Sequence, residues 1–185
     1  PDPVLLAQAQ ATQDALQASQ PGATLPAPPL RYGYGHFTTR TNCQFNWIPL
    51  SKAAEVMELL ASVSMHGIQT SGNDIRNINA DAWEGVAQDS VVDCRPFAEI
   101  TRQWSSLHPE FSYLPRKFKI SYNGAVEDRA AIGWYDIGLQ AVKNAAGEVG
   151  FKVQVGGGMG RPPMIGAVVR EFLPWAELLH SIQAI

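Results

Sequence analysis

Lys117 and Lys119 stand two residues apart in Leu114-Pro115-Arg116-Lys117-Phe118-Lys119-Ile120. The segment predicts a strand from Lys117 to Tyr122 that ends at Asn123-Gly124. In a strand, residues two apart project to one face, with Cβ atoms about 6–7 Å apart. The two ammonium groups would then point together, with Phe118 and Ile120 toward the core. Their mutual repulsion is on the order of 1 kcal/mol in water and larger when desolvated. A partly buried pair therefore calls for an anion. A solvated basic strand face is the equally open alternative.

A second feature is Gly156-Gly157-Gly158-Met159-Gly160-Arg161-Pro162-Pro163. Consecutive glycines permit positive φ and close approach of backbone to a ligand, and free amides there can bind anions. Arg161 could add a guanidinium for a carboxylate or phosphate. The run is neither a dinucleotide fingerprint, because Arg161 occupies the third glycine place, nor a P-loop. An anion-binding turn and a structural bulge both fit it. Arg40 and Arg76 complete the cationic set, although single arginines are most often surface residues or halves of ion pairs. His36 and His66 are more readily hydrogen-bonded or exposed than ligands to a metal, and no metal site is expected. There is no H-E-x-x-H, no G-x-S-x-G and no nucleophile–base spacing.

The elements that must position these residues can be sketched from pattern. Residues 1–30 read as a peripheral arm: an Ala/Gln-rich stretch over Val4–Ser19, then a linker over Pro21–Pro29. His36–Trp47 alternates like a strand. Ser51 is expected to cap a helix reaching about His66, with Val56, Leu59, Leu60 and Val63 at helical spacing and Gly67 as its stop. Ile68-Gln69-Thr70 reads as a short strand leading into the loop Ser71–Asp74. Pro96 suits the first turn of a helix with Phe97, Ile100, Trp104 and Leu107 on one face. Ala131–Val142 and Val149–Val155 are strand candidates, and a last helix starts near Pro174. The class is α+β, in two unequal subdomains joined near residue 109.

Composition narrows the function. With 45% hydrophobic and 17% charged residues in 185, the chain can bury a core. A formal charge of −3 gives no global basic field, so nucleic acid is not an expected partner. No apolar run has transmembrane length, no charged segment precedes the short apolar N-terminal stretch, and the expected compartment is the cytoplasm. Cys43 and Cys94 are the two cysteines, and two thiols cannot provide the four ligands a cubane cluster normally takes. Cys43 reads as a packed thiol.

Together these segments resemble the siroheme-dependent sulfite and nitrite reductases. The resemblance rests on Tyr34-Gly35-His36-Phe37-Thr38-Thr39-Arg40, Thr70-Ser71-Gly72-Asn73-Asp74-Ile75-Arg76-Asn77, Tyr113–Lys119, and Gly156–Gly158 ahead of Arg170-Glu171-Phe172-Leu173-Pro174. Order and spacing agree over about residues 32–185, closer to bacterial sulfite reductase hemoprotein than to plant nitrite reductase. It implies a ferredoxin-like half-domain over 31–108 and a mixed-sheet, siroheme-binding α+β subdomain over 109–185. The implied activity is six-electron reduction of sulfite to sulfide, or of nitrite to ammonia, with electrons from a flavoprotein or ferredoxin. Arg76, Lys117 and Lys119 would bind the substrate anion and deliver protons. His36, Thr38, Arg40, Gln44, Asn46, Arg116, Gly156, Gly157, Gly158 and Arg161 would contact the cofactor, whose eight carboxylates account for the convergence of positive charge.

Two departures stand out. The family's earlier strand with a further substrate-binding arginine has no counterpart in residues 1–30. The cysteines that hold the 4Fe–4S cluster belong to a C-terminal half missing here. On that reading the chain is a portion of a longer enzyme and inactive by itself. Two alternatives are a scaffold domain that has lost its ligand and a module for another acidic ligand.

Overall fold

The computed structural model of the protein describes residues 35–115 and 117–185. Readings made on residues 1–34, and on Arg116, lie outside the described residues. The described residues belong to two compact units that divide between Gly67 and Ile68.

The first unit holds a hairpin and a helix. Strands β1 (Gly35–Phe37) and β2 (Cys43–Phe45) pair antiparallel, with His36 opposite Gln44. The single strand expected over 36–47 is thus two strands. The turn between them is set by Thr38, whose hydroxyl accepts from the amides of Arg40 and Asn42, both at 3.2 Å. Thr41 takes the left-handed conformation there, with φ of 57°. Helix α1 spans Ala53–Ala61. Ser51 sits in the preceding 3-10 turn, Leu50–Lys52, rather than capping the helix. The helix also stops short of His66, because Ser64 turns left-handed at φ 60°.

The second unit is built on a four-stranded mixed sheet, in the order β3 (Ile120–Asn123), β4 (Ile137–Lys143), β5 (Val149–Val155), β6 (Ala167–Pro174). β3 and β4 are parallel and the other pairs antiparallel. Residues 75–79 run parallel beside β3 through isolated bridges Ile75–Phe118 and Asn79–Ser121. Ile120, Tyr122, Ile137, Leu139, Phe151, Val153 and Leu173 form the core, closed by Leu178 and Ile182 of α3 (Leu178–Ala184). The α+β class expected from sequence is the class observed.

Helix α2 (Arg95–Ser105), with Pro96 in its first turn, covers this core. Its inward face is Phe97, Thr101, Trp104 and Ser105; Ile100 and Leu107, expected to share it, are exposed. Steps of four and three from Phe97 lead to Thr101 and Trp104, whereas Ile100 falls about 60° away and Leu107 lies beyond the helix end. The Phe97 and Tyr122 rings meet Phe151 edge-on at 5.1 and 5.6 Å, and the Thr101 hydroxyl bonds the buried Tyr122 hydroxyl at 2.6 Å. α2 therefore shares one core with the strands that follow residue 109.

Loop 81–93 is tied down by Arg129, which bonds Asp81 and Asp89 at 2.9 Å each and Glu127 at 3.2 Å. The hydrogen bond from Arg129 and that from the Glu127 amide hold the Asp89 carboxyl down at about 2. Because the folded value lies below the unfolded one near 3.8, this contribution to stability is complete above the unfolded value. It is lost as pH falls through about 2. Melting temperature is expected to decline more steeply below pH 4 in the parent than in Asp89→Asn; parallel declines would contradict this.

Candidate functional site

The pairing of strands brings Lys117, Lys119, Arg76 and the glycine turn to one end of the second unit's sheet. Ile120, Ile137, Val155 and Ala167 lie in register across that end. Just before Ile120 come Lys117, Phe118 and Lys119, just before Ile137 comes Asp136, and just after Val155 comes the glycine turn. Arg76 joins them because its amide donates to the Phe118 carbonyl at 2.8 Å. The residue between the two lysines is thus bonded directly to Arg76. Sequence separation had given no hint of that 42-residue closure.

The lysine pair is not displayed by a pleat, as the sequence pattern suggested. β3 begins at Ile120, and Lys117 adopts φ of 62°, a left-handed conformation in which strand alternation cannot propagate. Lys117 is exposed, and it makes no ion pair among the described residues. Lys119 is half-buried and its amide donates to the Asp136 carboxylate at 2.8 Å. Arg76 is anchored through its terminal nitrogens to the carbonyls of Thr70 at 2.7 Å and Gly72 at 3.5 Å, and its Nε is buried without a partner. Gln69, expected in a strand just before this loop, is instead left-handed at φ 65°.

The glycine turn also departs from expectation. The amides of Gly156 and Gly157 donate to the carbonyls of Asp136 and Tyr135, each at 3.0 Å, and that of Gly158 to Met164 at 2.9 Å. Those three amides are therefore not free for an anion. Gly156 supplies the positive φ (84°) that a turn needs. Gly157 supplies close approach: a Cβ there would meet the carbonyl of Gly133, that of Tyr135 at 2.6 Å and the carbonyl carbon of Trp134 at 2.7 Å. The reciprocal Gly158–Met164 pair closes a loop that exposes Arg161. Gly157→Ala is expected to cost about 1–3 kcal/mol in thermal or urea unfolding through overpacking against backbone. Gly158→Ala, which meets nothing within 4 Å, is the near-neutral control, and equal effects of the two would refute the close-approach reading.

The remaining candidates lie in the first unit. His36 and Gln44 oppose one another on the hairpin, Thr38 and Arg40 lie in its turn, and Asn46 follows β2 with Oδ1 buried and unpartnered. The Thr38 hydroxyl is committed to holding the turn. A cavity of about 190 Å³ beneath loop 69–74, walled also by Leu107, His108 and Phe111, is lined by none of the basic candidates. Lys117 and Arg161 are exposed instead. Asp136, absent from the sequence reading, is the residue that links Lys119 to the glycine turn; it fell inside the strand expected over 131–142, where no local pattern marked it.

An α+β unit that gathers cations at one end of a mixed sheet has close counterparts. The profile of the nitrite and sulphite reductase 4Fe-4S domain family matches residues 71–185, and the chain belongs to that family. It is 32% identical over 159 residues to the assimilatory ferredoxin-dependent nitrite reductase of Haloferax mediterranei, covering 84% of this chain and 27% of that protein. It is 27% identical to sulfite reductase [ferredoxin] 1 of Mycolicibacterium paratuberculosis, covering 79% of this chain and 26% of that one. Among solved structures, the NirA protein of Mycobacterium tuberculosis superposes with a TM-score of 0.71 at 25% identity, over 78% of this chain and 26% of that one. The chain thus spans about a quarter of the length of these relatives.

The family name carries a 4Fe–4S cluster, but the residues of this chain do not fit one. Cys94 is fully buried at the start of α2, its amide bonded to Glu84, and burial with the Glu84 carboxylate pushes its thiol upward, away from the thiolate that a metal needs. Cys43 lies in the hairpin of the other unit. No group of three or more His, Cys, Asp or Glu suited to a metal occurs among the described residues. No helix among them is long and apolar enough to cross a membrane.

Proposed function

We propose that this chain is a portion of an assimilatory sulfite reductase, in which the basic end of the second unit's sheet binds the substrate anion and carboxylates of siroheme. Nitrite is the alternative substrate, since the relatives carry both names. The observation that carries the proposal is the bond from the Arg76 amide to the carbonyl between Lys117 and Lys119. It brings the backbones of Arg76, Lys117 and Lys119, from two distant segments, side by side.

In this reading Lys117 and Lys119 donate hydrogen bonds from their ammonium groups to the oxygens of sulfite. They yield protons as those oxygens leave as water, the electrostatic and acid roles that fixed donors perform best. Arg76 adds positive charge beside them. The fit to an octacarboxylate tetrapyrrole rests on side chains: the orphaned Nε of Arg76 and the exposed guanidinium of Arg161 have donors to give, whereas the amides of Gly156–Gly158 do not. Their part is to shape the turn that presents Arg161. His36, Arg40, Gln44, Asn46 and Arg116 are proposed contacts of the macrocycle, with Thr38 acting through the turn that carries Arg40. Siroheme, when bound, supplies the iron at which electrons reach the substrate. No step is assigned to an iron–sulfur cluster, for which this chain has no ligand set.

The same proposal makes 31–108 a ferredoxin-like half-domain and 109–185 a siroheme-binding subdomain of a cytoplasmic enzyme supplied by ferredoxin or a flavoprotein. It is tested by titrating the ¹⁵N-labelled chain with sulfite and with nitrite. Amide shifts are expected at 75–77, 117–120 and 136; shifts scattered over the surface, or none, would overturn it.

A further inference from the structure

We infer that Asp136 is a positioning residue of this anion site: its carboxylate fixes the backbone from which Lys119 projects. The inference rests on the assignment of Lys119 to the site, and nothing in that assignment requires Asp136. In the parallel pair β3–β4, Ile120 faces Ile137, so Lys119 and Asp136 occupy the next place outward. There the ladder stops in an unusual way. The Lys119 carbonyl still accepts from the Ile137 amide at 3.2 Å. The Lys119 amide, however, donates to the Asp136 side chain at 2.8 Å instead of to a backbone carbonyl. The Asp136 carbonyl in turn accepts from the Gly156 amide at 3.0 Å. One residue therefore joins the lysine segment to the glycine turn.

The need for such a brace follows from Lys117. Its left-handed φ of 62° breaks the pleat just before β3, and the chain there pairs through the isolated bridge Ile75–Phe118 instead of a continuous ladder. The Phe118–Lys119 peptide plane is gripped at the Phe118 carbonyl by the Arg76 amide, and the Asp136 carboxylate fixes its other edge at the Lys119 amide. A carboxylate acceptor is a strong partner for a backbone amide and pins that plane. Near an anion site a negative side chain repels the ligand, so its oxygens are best spent on an amide, which is where Oδ2 is. An aspartate here that served only to finish the sheet would affect stability without affecting how an anion is bound.

The experiment compares sulfite binding by the 185-residue chain and its variants, followed by NMR shifts, with circular dichroism as a check on folding. Lys119→Met is expected to weaken binding at least tenfold. Asp136→Ala is expected to weaken it at least fivefold and to abolish the sulfite-induced shift of the Lys119 amide at saturation. Asp136→Asn, which keeps a neutral acceptor and removes the repelling charge, should bind within twofold of the parent or more tightly. If Asp136→Ala does not fold, Asp136→Glu keeps the charge on a longer arm and is expected to lose threefold or more. Parent-like binding by folded Asp136→Ala or Asp136→Glu, with Lys119→Met defective, overturns the inference and leaves the site assignment standing. Parent-like binding by Lys119→Met overturns the site assignment itself.

Discussion

Glu84→Ala is expected to lower the unfolding free energy of the chain by about 2–5 kcal/mol, the sum of two buried amides left without acceptors. Glu84 is buried, and its two carboxylate oxygens are divided between the Cys94 amide at 2.9 Å and the Gly124 amide at 2.7 Å. The first bond holds the start of α2 and the second the end of β3, so one side chain joins the covering helix to the sheet. Gly124 is part of the device, since a Cβ there would strike the Val92 carbonyl and the Glu84 carboxylate. Glu84→Gln keeps one acceptor oxygen and turns its amide NH2 toward the other donor, so an intermediate loss is expected. Urea unfolding of the two variants checks this; a loss under 1 kcal/mol for the alanine would mean that water replaces the carboxylate.

The second large effect concerns binding. Lys117→Met with Lys119→Met is expected to reduce sulfite affinity by at least a hundredfold, with little change in thermal stability. Each methionine retains much of the apolar stem and removes a charge, so packing by Phe118 and Ile120 is spared. Lys117 is exposed and without an ion pair among the described residues, so its loss should not strand a buried partner. Calorimetry or NMR titration measures the affinity. Retained binding would show that Arg76 and Arg161 suffice, and the lysines would return to being a solvated basic surface.

Much of this was legible in the sequence where local chemistry dominates. β5 has the bounds expected of it because the turn before it is specified residue by residue. The Asn144 side chain accepts from the amides of Ala146 and Glu148, and Gly147 takes φ of 81°. Pro96 likewise marked the start of α2. β6 was not anticipated. Its residues Ala167–Glu171 are all exposed, and two register shifts against β5 interrupt any alternation. The 3-10 turn Ile132–Trp134 shortened the expected strand 131–142 to begin at Ile137, because Ala131 is left-handed at φ 55°.

The site was legible as residue types and not as geometry. Lys117 and Lys119 were recognisable by spacing, but the spacing argument presumed a pleat that a left-handed Lys117 does not provide. Arg76 could be attached to them only through resemblance, since the bond joining them is between backbone atoms 42 positions apart. The glycines suggested free amides; which carbonyls would take those amides depends on Asp136, Tyr135 and Met164, and no local pattern announces such pairings. Side chains, not amides, are left to meet an anionic ligand.

The most direct measurement is the visible absorption spectrum of siroheme titrated with the chain, compared with the Lys117→Met, Lys119→Met double variant and with Arg161→Met. A saturable shift of the tetrapyrrole bands by the parent chain, weakened in both variants, is the expected result. No spectral change with the folded parent chain would contradict the proposal that this sheet end receives the cofactor.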